Sequence, residues 1–250
     1  MSTDVSVELR DDFIAIVEFS RPPHNYFDPQ LVRAIADAYE QLDGERSCRV
    51  IVLCSAGKHF CAGADFAAAV AAGDDLYDQA VRLFAAQTPV VAAVQGSAIG
   101  GGVGLALSAD FRVAAPESHF SVNFTRLGIH HGFGLTVTLP LVVGHQRAIE
   151  MLYTGVRLEG EQAFTVGLCD RLAPAESLRE EAMAFAAEIA ASAPLAVRAT
   201  RSTMRGDLAQ RLRYATVREA DEQAKLFGTN DFSEGVTAAG ERREPRFRGN

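Results

Sequence analysis

The chain has 250 residues with 24 basic and 32 acidic side chains, a formal net charge of −8, and 48% hydrophobic residues. This length is enough for one large domain with a full core, and the composition excludes wholesale disorder. The acidic total argues against a nucleic-acid-binding protein, which normally carries a basic face, but it does not exclude an anionic small ligand.

The first half of the chain predicts an α/β arrangement. Residues 5–9 and 13–19 alternate apolar and polar side chains, which is typical of a β-hairpin. Asp28 precedes Pro29 at the start of an apolar helical stripe and can cap that helix. Strand and helix patterns then alternate, which indicates a mostly parallel sheet with crossover helices. Strands are predicted at 50–54, 90–95 and 111–115, and helices at 74–87 and 101–108.

From about residue 130 the strand patterns almost disappear, and helical periodicity takes over. Helices are predicted at 135–143, 145–153, 160–166, 176–191, 195–205 and 207–226. We therefore expect an α/β core over residues 1–190 and a helical region over residues 191–250. The arginines from Arg198 through Arg218 are expected on a solvated face, with one or two able to reach a phosphate.

Cysteine usage and charge distribution predict a cytoplasmic protein without a membrane span. The four cysteines form no C-x-x-C pair and no zinc-type spacing with histidine, so reduced thiols and no metal site are expected. The N-terminus carries no signal-peptide pattern. The stretch between Arg82 and Asp110 has no charge and is long enough to cross a bilayer, but its glycines and Pro89 indicate a buried core.

The densest local signal is a glycine cluster at residues 95–107, Gln-Gly-Ser-Ala-Ile-Gly-Gly-Gly-Val-Gly-Leu-Ala-Leu. Its spacing fits neither the dinucleotide fingerprint nor the P-loop. One interpretation is close packing of a helix on a strand. The other is a helix N-terminus whose free amides bind an oxygen, because glycines let a ligand approach the backbone. A second glycine loop at residues 60–66 could bring another amide to the same point, as an oxyanion hole requires.

With these motifs in place, the sequence resembles the enoyl-CoA hydratase/isomerase family, the crotonase superfamily. The resemblance runs the length of the chain. It is carried by Arg-Pro-Pro at 21–23, Phe-Cys-Ala-Gly-Ala-Asp at 60–65, the strand and glycine cluster at 89–102, Asp-Phe-Arg-Val-Ala-Ala at 110–115, Leu-Gly-Ile at 127–129, the segment 154–170, and Phe-Ser-Glu-Gly-Val at 232–236 with Glu-Arg-Arg-Glu-Pro-Arg-Phe at 241–247.

The resemblance implies a spiral of ββα units, as in the ClpP/crotonase folds, with C-terminal helices that form trimers or pairs of trimers. It implies an acyl-CoA ligand, with coenzyme A as part of the substrate and no separate cofactor. The amides of Ala64 and Gly101 match the positions that bind the thioester oxygen. We expect further contacts with the coenzyme A ester from Pro23, His24, Tyr26, Ala62, Asp65, Phe66, Gly100 and Phe124.

The sequence departs from the family at its acid and base. Hydratases of the family use two glutamates, and the matching positions here are Gly104 and Phe124. Some isomerases and a dehalogenase branch use an aspartate instead, and its position here is Gly132. Ordinary hydration is therefore expected to be absent or slow. His130 and His131 enter a helix near the acyl end, and one of them, His130 first, is expected to face the acyl group as a base. Alternatively, both cap the helix or lie on the surface.

Two classes of function remain open. The first is an enzyme that stabilises a thioester enolate, working as an isomerase, a decarboxylase or a C–C hydrolase. The second is a non-catalytic acyl-CoA binding or carrier protein built on the same scaffold.

Overall fold

The computed structural model describes residues 3–64 and 75–250. The strands are Val5–Leu9 (β1), Ile14–Phe19 (β2), Val50–Ser55 (β3), Val90–Val94 (β4), Ser97–Ile99 (β5), Phe111–Ala114 (β6), His119–Ser121 (β7), Arg157–Glu159 (β8) and Arg171–Leu172 (β9). The helices are Pro29–Asp43 (α1), Asp75–Ala85 (α2), Gly101–Ser108 (α3), Leu135–Val143 (α4), His145–Thr154 (α5), Gly160–Thr165 (α6), Leu178–Ala190 (α7), Pro194–Arg205 (α8), Leu208–Leu226 (α9) and Asn230–Glu241 (α10). Short 3₁₀ helices lie at Asn123–Leu127 and Ala175–Ser177.

A six-stranded sheet in the order β1-β2-β3-β4-β6-β9 forms the centre of the fold. Strands β1 and β2 pair as the predicted antiparallel hairpin, and every later pair in this sheet is parallel. Helix α1 begins as predicted, because the Asp28 side chain accepts a hydrogen bond from the Leu31 amide at 2.8 Å. These elements confirm the α/β expectation.

The sheet is buried on both faces, as parallel sheets require. Alternate residues of β3 and β4, such as Leu53 and Ala92, contribute to the main core together with α1 and α2. Their neighbours, such as Val52 and Val91, pack against the apolar face of α7 in a second cluster. The uncharged stretch before Asp110 therefore lies inside the molecule, as the sequence predicts.

A second sheet of three short strands, in the order β5-β7-β8, lies where the sequence predicts no strands. Strands β5 and β7 are parallel, and β7 and β8 are antiparallel. Each has three residues, which is too short for a period-two pattern to become visible. Strand β9, with two residues, was missed for the same reason.

The expectation of solvated arginines is wrong for α8. Arg201 and Arg205 both bind the carboxylate of Asp110, at 2.8 and 2.9 Å, and the two guanidinium groups are largely buried. Arg198 donates to the Asp43 carbonyl and to the Thr88 hydroxyl. These three residues recur at helical spacing, so the inward face of α8 is cationic and docks onto the end of the core.

Among the described residues, no single helix is both long enough and apolar enough to cross a membrane. Two consecutive helical segments, Ala175–Ala190 and Pro194–Arg205, have the length and composition of a membrane span only when they are joined. The chain bends by 102° between them.

Asn25, in the loop between β2 and α1, forms hydrogen bonds with the loop that follows β3. It is 1% exposed and has a left-handed backbone, with φ of 53°. Its side-chain amide donates to the carbonyls of Ala56 and His59, both at 2.7 Å, and its carbonyl accepts from the Arg21 amide. Both loops lead towards the functional site, so Asn25 sets their spacing.

We predict that Asn25→Ala destabilises the protein by about 2–4 kcal/mol, because it leaves buried carbonyls unpaired and forces alanine into a left-handed conformation. Chemical denaturation measures the change. Asn230→Ala, at an exposed position, is the matched control and should stay within about 0.5 kcal/mol of the parent. Equal effects of the two substitutions would contradict this role for Asn25.

Candidate active site

The segment that follows β3 and the segment that follows β4, which includes β5, are paired side by side. Cys61 and Ala98 form a parallel bridge, in which the Cys61 amide donates to Ser97 and the Ile99 amide donates to Cys61, both at 3.0 Å. The chain runs in the same direction in both segments. Ala64 and Gly101 lie at equal spacing beyond this bridge, so the pairing brings both residues to one side of the sheet.

Phe27 contacts both loops and holds them together. Its amide donates to the Gly63 carbonyl at 3.0 Å, and it forms a parallel bridge with Ala64. Its ring packs on the second loop so closely that a Cβ on Gly101 would lie 2.5 Å from the ring. Glycine at 101 is therefore required by this aromatic contact.

The glycine cluster begins α3 and packs directly on the first loop. Gly100 has φ of 55° and ψ of −120°, a conformation available only to glycine. A Cβ on Gly102 would lie 2.3 Å from the Cys61 carbonyl oxygen. The glycine cluster therefore does allow α3 to pack closely on a neighbouring segment, which was one of its two interpretations.

The second interpretation concerns free amides at the start of α3. Gly101 is the first residue of the helix, so its amide has no partner within the helix. Neither this amide nor that of Ala64 donates a hydrogen bond to another described residue. Unpaired amides in a folded protein are costly unless water or a ligand accepts from them. Within the described part of the chain, both amides therefore remain without an acceptor.

Both residues border one cavity of about 460 Å³. Six of the predicted site residues line it: Tyr26, Ala62, Ala64, Gly100, Gly101 and Phe124. The rest of the described lining is largely aromatic and aliphatic: Phe27, Gly63, Leu76, Tyr77, Ile99, Asn123, Leu127, Gly132, Phe133, Gln223, Phe227 and Ala239. No acidic or basic side chain occurs in this described lining.

Several predicted site residues are not in the cavity lining. Pro23 and His24 are exposed, and the carbonyl of His24 accepts a hydrogen bond from the Ala62 amide. The His24 ring lies 5.8 Å from that of His59. Asp65 and Phe66 fall outside the described residues.

The described lining of this cavity contains neither histidine, and the expectation that His130 meets the acyl group stays a prediction. His130 and His131 are stacked with ring centroids 4.0 Å apart, and they line a separate cavity of about 300 Å³ beside α4 and α5. Two positive-φ residues, Phe133 (63°) and Gly134 (74°), turn the chain before α4 begins. This loop presents Gly132 and Phe133 to the main cavity and the imidazoles to the other side.

Aromatic groups occupy the space beside the glycines at the positions where the family resemblance places carboxylates. A Cβ on Gly104 would lie 2.7 Å from the Phe133 ring. A Cβ on Gly132 would lie 2.1 Å from the Tyr77 hydroxyl oxygen. Side chains from other elements therefore fill the volume beside these glycines.

Tyr77 and Gln223 also line the cavity, and no sequence pattern indicated them. The Tyr77 hydroxyl donates to Gln223 Oε1 at 2.6 Å, and Gln223 Nε2 donates to the His130 carbonyl at 2.8 Å. Burial, together with the nearby Glu219 carboxylate, raises the pKa of Tyr77, so the phenol stays neutral. These residues are 146 positions apart in the chain, so no local pattern could have paired them.

Glu219 caps the N-terminus of α4 from the neighbouring helix α9. Its carboxylate accepts from the amides of Gly134 and Thr136, at 2.8 and 3.0 Å, and from the Thr136 hydroxyl at 2.6 Å. The side chain is fully buried, and that burial raises its pKa despite the three donors. Glu219 and Gln223 lie one helical turn apart, so the same face of α9 fixes the loop that carries Gly132.

Other reactive groups near the cavity are held in inert forms. Burial raises the pKa of the Cys61 thiol to about 12, so it stays protonated at neutral pH. Its Sγ lies 3.7 Å from the Gly63 carbonyl oxygen. Within the part of the chain that the structure describes, no three histidine, cysteine, aspartate or glutamate side chains are placed to hold a metal ion.

We predict that protonation of His131 destabilises the fold in mild acid. Burial, with a smaller contribution from His130, lowers its pKa from 6.5 to about 4, so the unfolded chain takes up this proton first. The stabilisation of the folded state by the neutral His131 imidazole is present above pH 6.5 and is lost as pH falls towards 4. Relative to His131→Gln, the parent should lose on the order of 2 kcal/mol of unfolding free energy between pH 7 and 4.5.

Denaturation curves at both pH values measure this loss. Glu219, whose pKa is raised, changes stability in the opposite sense, and its carboxylate lies 4.0 Å from His131 Nε2, so the comparison is repeated in a Glu219→Gln background. The exposed His145→Gln serves as the control. A parent and a His131→Gln variant with the same pH dependence would contradict the prediction.

Comparisons with known proteins agree with this architecture. The family model for enoyl-CoA hydratase/isomerase matches residues 10–250. A crotonyl-CoA hydratase from Syntrophomonas wolfei is 33% identical over 248 residues, covering 95% of each chain. The crystal structure of an enoyl-CoA hydratase/isomerase from Pseudoalteromonas atlantica aligns with a TM-score of 0.89 and 26% identity, over 98% of this chain and 100% of the other. That of an enoyl-CoA hydratase from Mycobacterium avium subsp. paratuberculosis aligns with a TM-score of 0.87 and 29% identity, over 98% and 99%.

The match extends from the first hairpin to the last residue, and it includes both loops that border the cavity. The expected family and the crotonase-type α/β fold are confirmed: the chain belongs to the enoyl-CoA hydratase/isomerase family.

Proposed function

We propose that the protein binds an acyl-CoA thioester with its carbonyl oxygen between the amides of Ala64 and Gly101, and that it stabilises the enolate or related oxyanion of that thioester. The observation that carries the proposal is a pair of amides on one cavity that have no acceptor among the described residues and lie in two segments joined by the Cys61–Ala98 bridge. Two fixed donors stabilise charge that develops on oxygen without any cost of reorientation during the reaction.

The same cavity is poorly suited to hydration. Adding water to a double bond requires one group that accepts a proton and one that donates a proton, placed across the substrate. The described cavity lining contains no carboxylate and no imidazole. Beside Gly104, the ring of Phe133 occupies the volume that a longer side chain would need. The proposed reaction therefore needs fewer proton-transfer groups than hydration: double-bond isomerisation, C–C hydrolysis or decarboxylation.

Decarboxylation is the most economical of these three reactions. When a β-carboxylate leaves as CO₂, its bonding electrons pass to the α-carbon and the thioester oxygen, so no base is needed to form the enolate. The two amides then stabilise the negative charge, and one proton completes the product. This reaction makes the fewest demands on a neutral cavity.

A non-catalytic acyl-CoA binding or carrier protein is the second candidate. The neutral lining favours it, because binding needs shape and hydrogen bonds but no proton transfer. Under this proposal the amides hold the thioester carbonyl in its ground state.

The proposed trimeric assembly is a separate question. Helices α8 and α9 expose large apolar side chains, including Leu195, Met204, Tyr214 and Val217, each more than half exposed in the single chain. Burial of such side chains against other copies of the chain would stabilise an oligomer.

We predict that hydration of crotonyl-CoA is absent or at least tenfold slower than a typical enzyme turnover of ~10 s⁻¹. Loss of the unsaturated thioester absorbance measures it directly. Turnover near 10 s⁻¹ would contradict the proposal of a non-hydratase. The same protein is then incubated with a panel of acyl-CoA esters and analysed by mass spectrometry. A changed thioester supports the enzyme, and tight binding with every thioester recovered intact supports the carrier.

We predict that Ala64→Pro weakens turnover, or affinity if no thioester is converted, because proline removes one of the two amides. The loss in rate should be ~10²–10³-fold. Ala64→Ser is the matched control, because it changes the side chain and keeps the N–H. Gly101→Pro is a poorer test, since any carbon at that Cβ position would collide with Phe27.

Thermal unfolding checks that both Ala64 variants remain folded. Parent-like activity and affinity in folded Ala64→Pro would rule out the amide as a donor to the thioester.

A further inference from the structure

The hydroxyl of Tyr77 and the side-chain amide of Gln223 form a polar patch in the wall of the main cavity. Both side chains line the cavity, on α2 and α9 respectively. Most of the other described lining is aromatic or aliphatic, including Leu76, Phe133 and Phe227, and Asn123 adds a further amide side chain. A polar pair in such surroundings distinguishes ligands by the hydrogen bonds that they offer.

The hydrogen bonds of this pair fix which atoms remain free. The His130 carbonyl can only accept, so Gln223 Nε2 must face it, at 2.8 Å. Gln223 Oε1 then faces Tyr77, and the phenol proton is donated to it at 2.6 Å. The Tyr77 oxygen therefore keeps its capacity to accept, and Gln223 keeps one N–H. Neither atom has another hydrogen-bond partner among the described residues.

Gly132 makes room for this arrangement. A Cβ at that position would lie 2.1 Å from the Tyr77 oxygen and 2.9 Å from Gln223 Nε2. The phenol oxygen therefore sits directly on the glycine backbone, in the volume of a missing side chain. Glu219 fixes the same loop by capping α4, so the position of the polar pair is built into the packing of α9 on α4.

The free atoms define a ligand group that both donates and accepts. A hydroxyl donates to the Tyr77 oxygen and accepts from Gln223. A carboxylate has no proton to donate to the Tyr77 oxygen. An ammonium group has no lone pair to accept the Gln223 N–H. An alkyl chain leaves both protein atoms unpaired.

We propose that the cavity selects acyl-CoA esters whose acyl group carries a hydroxyl, bound between the Tyr77 oxygen and Gln223 Nε2. This proposal rests on the proposed acyl-CoA function and adds a substrate class to it. Tyr77 and Gln223 are then specificity-determining residues.

Calorimetric titration of the wild-type protein with butyryl-CoA, 3-hydroxybutyryl-CoA and 4-hydroxybutyryl-CoA tests the proposal. These esters differ by one oxygen or by its position, so a simple apolar cavity would favour butyryl-CoA. We expect at least one hydroxylated ester to bind about tenfold more tightly than butyryl-CoA, as one well-formed buried hydrogen bond allows. Equal affinities, or a preference for butyryl-CoA, overturn the selection while leaving the acyl-CoA function intact. Failure of all three esters to bind overturns both.

Tyr77→Phe tests the assigned residue, because it removes the oxygen and keeps the ring. The preference for the hydroxylated ester should fall about tenfold, with little change in butyryl-CoA affinity. Tyr153→Phe, on a tyrosine that is 75% exposed and outside this cavity, should keep the full preference. A preference that survives in Tyr77→Phe overturns the role of Tyr77. The wild-type comparison of the esters decides the substrate class even if Tyr77→Phe does not fold.

Discussion

The parallel pairing of residue 61 with residue 98 is the contact on which the rest of the site depends. Two backbone hydrogen bonds, from Cys61 to Ser97 and from Ile99 to Cys61, fix two loops from successive strands in one register. Phe27 then packs on both loops. With the register set, the first free amide of α3 and the amide of Ala64 border the same cavity. A slip of one residue would separate them, so the site depends on strand pairing more than on any side chain.

The glycines of the cavity have a second consequence. At three glycines, an aromatic side chain from elsewhere in the chain fills the space where a Cβ would lie. These pairs are Gly101 with Phe27, Gly104 with Phe133 and Gly132 with Tyr77. The cavity wall is thereby built from aromatic groups supplied by distant segments. The described lining is neutral, which suits the proposed oxyanion stabilisation and hydrogen-bond recognition.

Local patterns were enough to predict much of the fold and the glycine-rich start of α3. The hairpin alternation, the Asp28 cap and the glycine cluster depend on neighbours in sequence, and the structure has all three. What the sequence could not reveal depends on long-range packing. The Tyr77–Gln223 pair joins helices far apart in the chain, and the buried Arg201 binds Asp110, which lies 91 positions away. The orientation of His130 follows from the turn at Phe133 and Gly134, which spacing alone does not encode.

A crystal structure with a bound, unreactive acyl-CoA thioester analogue tests the central claim most directly. The quantity to measure is the distance from the thioester oxygen, or its replacement, to the amide nitrogens of Ala64 and Gly101. We predict that both distances fall within about 2.7–3.2 Å, with the acyl group in the aromatic cavity. A thioester oxygen beyond hydrogen-bond reach of either nitrogen, in a complex with the acyl group fully ordered, would contradict the account.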